Sequence, residues 1–185
     1  MNSDRRTEAE LALTLEQVED VRKRTRAAVH PAWFPMLLFG LLGLASIPFA
    51  SIGDGVGTAL FWLVAGPAGG IATSRHYRNR AMSLGAGMRG GAYIGIGAAI
   101  FLGAWVGGAL THSATVPMLA IAAGYLGFAY LEKSWPVAVV AGALAVAALA
   151  VAVTEPPRGD LILALVFGST FAGTGALLRR RDRGG

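Results

Sequence analysis

A glycine-proline pair and three hydroxyl side chains are the residues of this chain best suited to bind a small neutral solute. Gly66 and Pro67 lie in the apolar stretch "AGPAGG". Proline removes one backbone hydrogen bond from a helix, and transporters use broken helices as binding sites. Tyr125, Ser169 and Thr170 lie at similar depth in later apolar stretches. The five residues indicate either a small polar pocket at the bilayer midplane, or an ordinary proline kink together with hydrogen bonds between helices.

A second set of candidates, basic except for two apolar residues, could bind a protein partner or anionic lipid. Cations near an anionic membrane surface contribute about 1 kcal/mol each to binding. The plain alternative is that they only flank membrane helices on the cytoplasmic side. Nucleic acid is not expected as a partner, because no aromatic residues alternate with the basic ones. The candidates for partner or lipid binding are Leu15, Val18, Arg22, Lys23, Arg24, Arg26, Arg75, Arg78 and Arg80.

Residues for catalysis and metal binding are scarce in this sequence. The middle of every apolar stretch lacks the ionisable side chains that intramembrane proton transfer or hydrolysis would use. His30, His76 and His112 have no metal-ligand spacing and fall on opposite sides of the predicted membrane. Cysteine is absent, which excludes disulfides and thiolate chemistry. We therefore expect no enzyme activity, no cofactor and no metal site.

The chain that carries these residues has the composition of a helical membrane protein. Hydrophobic residues make up 54% and charged residues 15%, against about 25% charged in ordinary globular proteins. Six apolar stretches, all free of Lys and Arg, approach the about 20 residues that cross a bilayer. They cover residues 33–52, 57–74, 91–110, 116–131, 135–153 and 160–178. The sequence predicts an all-α polytopic protein with six transmembrane helices.

Lysine and arginine are sorted unevenly between alternate loops of this prediction. Of the 16 basic residues, only Arg158 falls in a loop on the side opposite to the N-terminus. Cytoplasmic loops carry such an excess of basic residues. We therefore predict a multi-pass inner (plasma) membrane protein with both termini in the cytoplasm. Its parts are a cytoplasmic helical segment 1–32, a six-helix domain 33–178 and a basic tail 179–185.

The segment before the first apolar stretch predicts an amphipathic helix. Thr14 and Gln17 fit a capping box, and acidic residues precede basic ones in the order that a helix dipole favours. Leu11, Leu15 and Val18 begin a partly apolar stripe at helical spacing. The helix either lies on the membrane or on its own bundle, or it docks a cytosolic partner or a second copy of the chain.

Small residues recur at every fourth position in two of the predicted helices. Such faces let helix backbones approach closely within a bundle or between two chains, so a homo-oligomer is a further possibility. The helix-packing face of the third helix comprises Gly91, Gly95, Ala99, Gly103 and Gly107, and that of the sixth comprises Ala164, Gly168, Ala172 and Ala176.

In layout and composition the chain resembles small, uncharacterised multi-pass inner-membrane proteins of high-GC bacteria. The resemblance is carried by "LEQVEDVRKRTRAAVHPAWFP" and the remainder rich in Ala, Gly and Arg. It implies a bacterial inner-membrane location and no activity. Our leading interpretation is a non-enzymatic membrane subunit that presents its cytoplasmic helix and basic loop to a protein partner or anionic lipid. The alternative is a small permease or channel for a neutral or apolar solute.

Overall fold

A computed structural model describes residues 32–51, 56–83, 91–111 and 113–184, with only the backbone at 51, 91–94, 183 and 184. The regular structure of these residues is entirely helical, which confirms the predicted all-α class for this part of the chain. The elements are α1 (Trp33–Ala45), a 3-10 helix (Ile47–Ser51), α2 (Val56–Ser83), α3 (Gly91–Thr111), α4 (Thr115–Glu132), α5 (Trp135–Thr154) and α6 (Gly159–Gly184). Residues 32–75 and 91–184 belong to one compact unit, and residues 76–83 belong to another.

Each predicted apolar stretch forms a helix, but three of the predicted ends are wrong, namely those of the first, second and sixth stretches. The sixth was predicted to end at residue 178, whereas α6 continues to Gly184. The stretch 33–52 is divided because α1 ends at Ala45 and a 3-10 helix follows. Pro48 explains the division, since it disfavours the α conformation in the residue before it and lacks a backbone donor. The second helix was predicted to end at residue 74, whereas α2 continues to Ser83. No glycine or proline interrupts residues 71–83, so the α-helix can continue there.

Among the described residues, four helices are long and apolar enough to cross a membrane, and they fit a membrane-embedded, multi-pass protein. They are Val56–Ser83, Thr115–Glu132, Trp135–Thr154 and Gly159–Asp182. Two further apolar helical stretches, Trp33–Ala45 and Gly95–Thr111, are shorter. Large apolar side chains are widely exposed, among them Val64, Leu110 and Val153. Apolar surface of this extent is suited to contact with lipid rather than with water.

Helices α1 and α6 pack antiparallel with their backbones in contact. A Cβ atom added to Gly40 would lie 2.8 Å from the Cα atom of Ala172, closer than real Cβ contacts come. Small residues on both helices therefore allow this approach, since dispersion packing between backbones needs the absence of side chains. The pairs in register are Leu37 with Gly175, Gly40 with Ala172, and Leu44 with Gly168.

Helices α3 and α4 form a second antiparallel pair. Two residues of the predicted α3 packing face contact α4: Gly107 lies against the side chain of Val116, and a Cβ at Gly103 would lie 3.4 Å from that of Ala120. Towards the start of α3 the surroundings change. A Cβ at Gly95 would meet no atom of a neighbouring helix within 4 Å among the described residues. Ala99 is exposed, and only the backbone of Gly91 is described.

Aromatic rings from three helices fill the centre of the larger unit. Phe167 and Phe171 of α6 are fully buried. The Tyr125 ring of α4 packs edge-on against Phe171 with a centroid separation of 4.6 Å. The Trp62 ring of α2 meets Phe167 at 6.2 Å. Helix α5 completes this core with smaller buried side chains, namely Val137, Ala141, Leu144 and Ala148.

Candidate functional site

Aromatic and charged side chains form a cluster where α1 begins and α6 ends. The guanidinium carbon of Arg179 lies 5.2 Å from the centroid of the Trp33 ring. The indole Nε1 of Trp33 donates a hydrogen bond to the Asp182 carboxylate at 3.2 Å. Phe34 packs edge-on against the Trp33 ring at a centroid separation of 5.6 Å. We call Trp33, Arg179 and Asp182 the Trp33 cluster.

The register of the α1–α6 pair positions this cluster. Leu37 packs against Gly175, and one helical turn beyond these two residues lie Trp33 and Arg179. Asp182 follows Arg179 by three positions and so shares its face of α6. The sequence contains these residues but did not predict the cluster, because residue types and spacing do not show which helices pack together. The Trp33 cluster brings the first residue of α1 and the last turn of α6 to the same end of the bundle.

The basic residues that were expected in a loop lie on the last turns of α2. This is a correction, and its cause is the continuation of α2 to Ser83. Arg75 and Arg78 are exposed, and Arg80 is partly buried. Their side chains therefore extend from an α-helix and not from a loop.

The remaining candidates for partner or lipid binding lie outside the described residues, together with the predicted cytoplasmic helix. They are Leu15, Val18, Arg22, Lys23, Arg24 and Arg26. Their role stays a prediction.

The hydroxyl groups proposed for a midplane pocket make contacts within the helical core. The Ser169 and Thr170 hydroxyls each donate a 2.6 Å hydrogen bond to a backbone carbonyl one turn earlier in α6. Ser169 is exposed. Tyr125 is 7% exposed and its ring packs against Phe171. In this arrangement both α6 hydroxyls bond within their own helix, and the tyrosine ring contributes to aromatic packing.

The "AGPAGG" segment accommodates aromatic rings of neighbouring helices. Helix α2 continues through Pro67, which is exposed. A Cβ at Gly66 would lie 3.2 Å from the Phe101 ring of α3. One at Gly69 would lie 3.0 Å from the Phe39 ring of α1. The missing side chains therefore let α1 and α3 place aromatic rings directly on the surface of α2.

An open cavity lies between the 3-10 helix and the first half of α2. Its volume is about 450 Å³, and its lining is almost wholly apolar. The residues that line it are Phe49, Gly57, Leu60, Phe61, Val64 and Ala65. A cavity of this composition suits an apolar molecule, because it offers little to which a polar solute could hydrogen-bond.

Neither a metal centre nor a known relative assigns a function to these features. Among the described residues, no three His, Cys, Asp or Glu side chains are grouped as a metal ion would require. No family model, curated protein or solved structure matches the chain. The geometry and the charge of this chain are therefore the observations that bear on its function.

Proposed function

We propose that this chain is a non-enzymatic inner-membrane subunit with six transmembrane helices and both termini in the cytoplasm. It presents its N-terminal helix and the basic end of α2 to a protein partner or to anionic lipid. The observation that carries the proposal is the Trp33 cluster, in which the start of α1 contacts the end of α6. Because the start of α1 and the end of α6 lie at the same end of the bundle, the chain between them would cross the membrane an even number of times.

Helix lengths support six crossings. The 13 residues of α1 rise about 20 Å and the five of the 3-10 helix about 10 Å. Together they match the about 30 Å thickness of a bilayer hydrocarbon core. Helix α3 has 21 residues and rises about 32 Å. Both segments can therefore cross beside the other four apolar helices.

The distribution of charge supports the orientation. The basic residues of segment 1–32, of the end of α2 and of the tail lie on one side of this topology, as expected of cytoplasmic segments. Helix α2 has 28 residues and rises about 42 Å, which exceeds the hydrocarbon core by about 12 Å. Its last turns, with Arg75, Arg78 and Arg80, then extend into the cytoplasm as a short basic helix. Such a helix could be recognised by an acidic partner surface or by anionic headgroups.

The core favours a subunit over a permease for polar solutes. Phe167, Phe171 and Tyr125 fill the centre, and the hydroxyls of Ser169 and Thr170 bond within their own helix. The alternative, a permease or channel for an apolar solute, is supported by the apolar cavity beside α2. That cavity opens at the surface of the bundle, whereas a permease also needs a path through it.

One set of variants separates the two functions. The protein is purified in mild detergent from native membranes, and proteins that co-purify in stoichiometric amount are quantified beside a cell-based phenotype, both normalised to membrane abundance. We expect Leu15→Ser with Val18→Ser to abolish co-purification and phenotype together. Tyr125→Phe with Thr170→Val should retain both.

Two further results decide the outcome. Replacing Arg22, Lys23 and Arg24 with Gln should have the effect of the Leu15 and Val18 changes. If the variants of segment 1–32 retain co-purification and phenotype while Tyr125→Phe with Thr170→Val loses the phenotype, the docking proposal is wrong and the permease takes its place. If no variant of segment 1–32 changes either readout, this segment has no docking role.

A further inference from the structure

The arginine run at the end of α6 begins at the depth of lipid headgroups. Residues 160–178 contain no Lys or Arg, and the rise from Asp160 to Arg179 is about 28 Å. This is close to the about 30 Å thickness of the hydrocarbon core. Trp33 lies against Arg179, and tryptophan is enriched at the interface between membrane and water. In a helix that crosses the hydrocarbon core from Asp160, the run therefore starts at the depth of the phosphates of one leaflet.

The three consecutive arginines have different surroundings. Arg179 is partly buried and stacks on Trp33, and Asp182 accepts the hydrogen bond from the same indole. Successive residues of a helix are about 100° apart, so Arg180 and Arg181 project from other faces of α6. Both are exposed. The Trp33 cluster thus anchors the end of the helix while two guanidinium groups stay accessible.

Apolar surface continues from these two arginines into the membrane. Leu177 precedes them by three and four positions, which places it on the same side of α6, and it is 62% exposed. One turn deeper, a Cβ at Gly173 would meet no atom of a neighbouring helix within 4 Å among the described residues. A phospholipid whose phosphate is bound by the arginines would therefore have its acyl chains beside Leu177 and over Gly173.

We propose that Arg180, Arg181 and Leu177 bind one anionic phospholipid of the leaflet that α6 reaches at its end. Guanidinium groups match phosphate oxygens in bidentate hydrogen bonds, and cations are favoured at a helix C-terminus. Two positive charges side by side select an anionic headgroup over a zwitterionic one, whose own cation they repel. The exposed leucine selects a lipid over free phosphate. This site is separate from the proposed docking surface, and it rests only on α6 crossing the membrane.

The test measures the thermal midpoint of the purified full chain in neutral detergent. Added phosphatidylglycerol should raise the midpoint by about 4 °C, while phosphatidylcholine and inorganic phosphate should leave it unchanged. The double variant Arg180→Gln with Arg181→Gln should lose this shift. The matched control is Arg158→Gln, which removes one charge at the opposite end of α6 and should keep the shift.

Each other result overturns the proposal. Absence of a shift in the wild type excludes the site, and an equal shift with inorganic phosphate indicates a site for free phosphate. Loss of the shift in Arg158→Gln indicates general charge attraction. If the double variant is itself destabilised, native mass spectrometry counts bound phosphatidylglycerol instead, and undiminished binding refutes the site. The double variant leaves segment 1–32 and the basic end of α2 unchanged, so a shift caused by lipid bound there would persist, and failure of this site is distinguishable from failure of the docking proposal.

Discussion

Glycines lie at the α1–α6 interface and along α3, but they meet different kinds of atom in the two places. Gly40 faces the backbone of Ala172, and Gly168 faces the backbone and side chain of Leu44. On α3, Gly107 faces the side chain of Val116, and Gly95 faces no neighbouring helix among the described residues. Side chains can rotate away from an added atom, whereas a helix backbone must move as a whole. The same residue type should therefore differ widely in its tolerance of substitution.

The largest effect is expected for Gly40→Ala. The added methyl group would overlap the α6 backbone, so α1 and α6 must separate, and overpacking of this kind costs about 3 kcal/mol. We expect the thermal midpoint in detergent to fall by about 6–12 °C. The matched control is Gly173→Ala, which adds the same group on the open side of α6 and removes a helix-destabilising glycine. A fall of similar size in both variants would refute the comparison.

A smaller effect is expected for leucine at the α4 end of the α3 face. Gly107→Leu forces the Val116 side chain to move and should lower the midpoint by about 3–6 °C, with a similar but weaker effect for Gly103→Leu. Gly95→Leu should leave the midpoint near that of the wild type, since its position is open among the described residues. If Gly95→Leu is as damaging as Gly107→Leu, a surface outside the described chain, such as a second copy, packs on that end of α3.

An effect of about 2–4 °C is expected for Trp33→Phe. Phenylalanine lacks the indole N–H that binds Asp182 and offers Arg179 a weaker cation–π partner. The control is Trp135→Phe at the exposed start of α5, where the ring is 77% exposed. Equal midpoints for the two variants would show that the Trp33 cluster does not hold α1 and α6 together at this end.

The sequence predicted the helices well because hydropathy alone identifies long apolar stretches. It placed three helix ends wrongly, since Pro48 divides the first stretch and the basic residues after Ser74 and after Leu178 are compatible with a helix. Spacing also identified faces made of small residues on α3 and α6. It did not reveal the α1–α6 contact, because a close contact requires small residues in register on two helices, and register is a property of the folded bundle.

For the candidate site too, the residue types could be read from the sequence, whereas their contacts could not. The basic residues were recognisable by their charge, and Trp33 by its position at the start of the first apolar stretch. The contacts of Trp33 with Arg179 and Asp182 depend on the packing of two helices that lie far apart in the chain. The hydroxyls of Ser169 and Thr170 were expected near a pocket, but a side-chain rotamer decides whether a hydroxyl faces a pocket or its own helix. That choice cannot be read from spacing.

The smallest effect is expected for Tyr125→Phe combined with Thr170→Val. The Thr170 hydroxyl bonds to its own helix, an interaction that stabilises a helix little, and the Tyr125 ring can keep its packing on Phe171 as phenylalanine. We expect the midpoint to change by less than about 2 °C and the cell-based phenotype to be retained. The two readouts are independent. A fall in the midpoint would mean that the hydroxyls contribute to the core, whereas loss of phenotype at an unchanged midpoint would mean that they contact a transported solute. The second result would place the function in the aromatic centre and not in the basic ends of the helices.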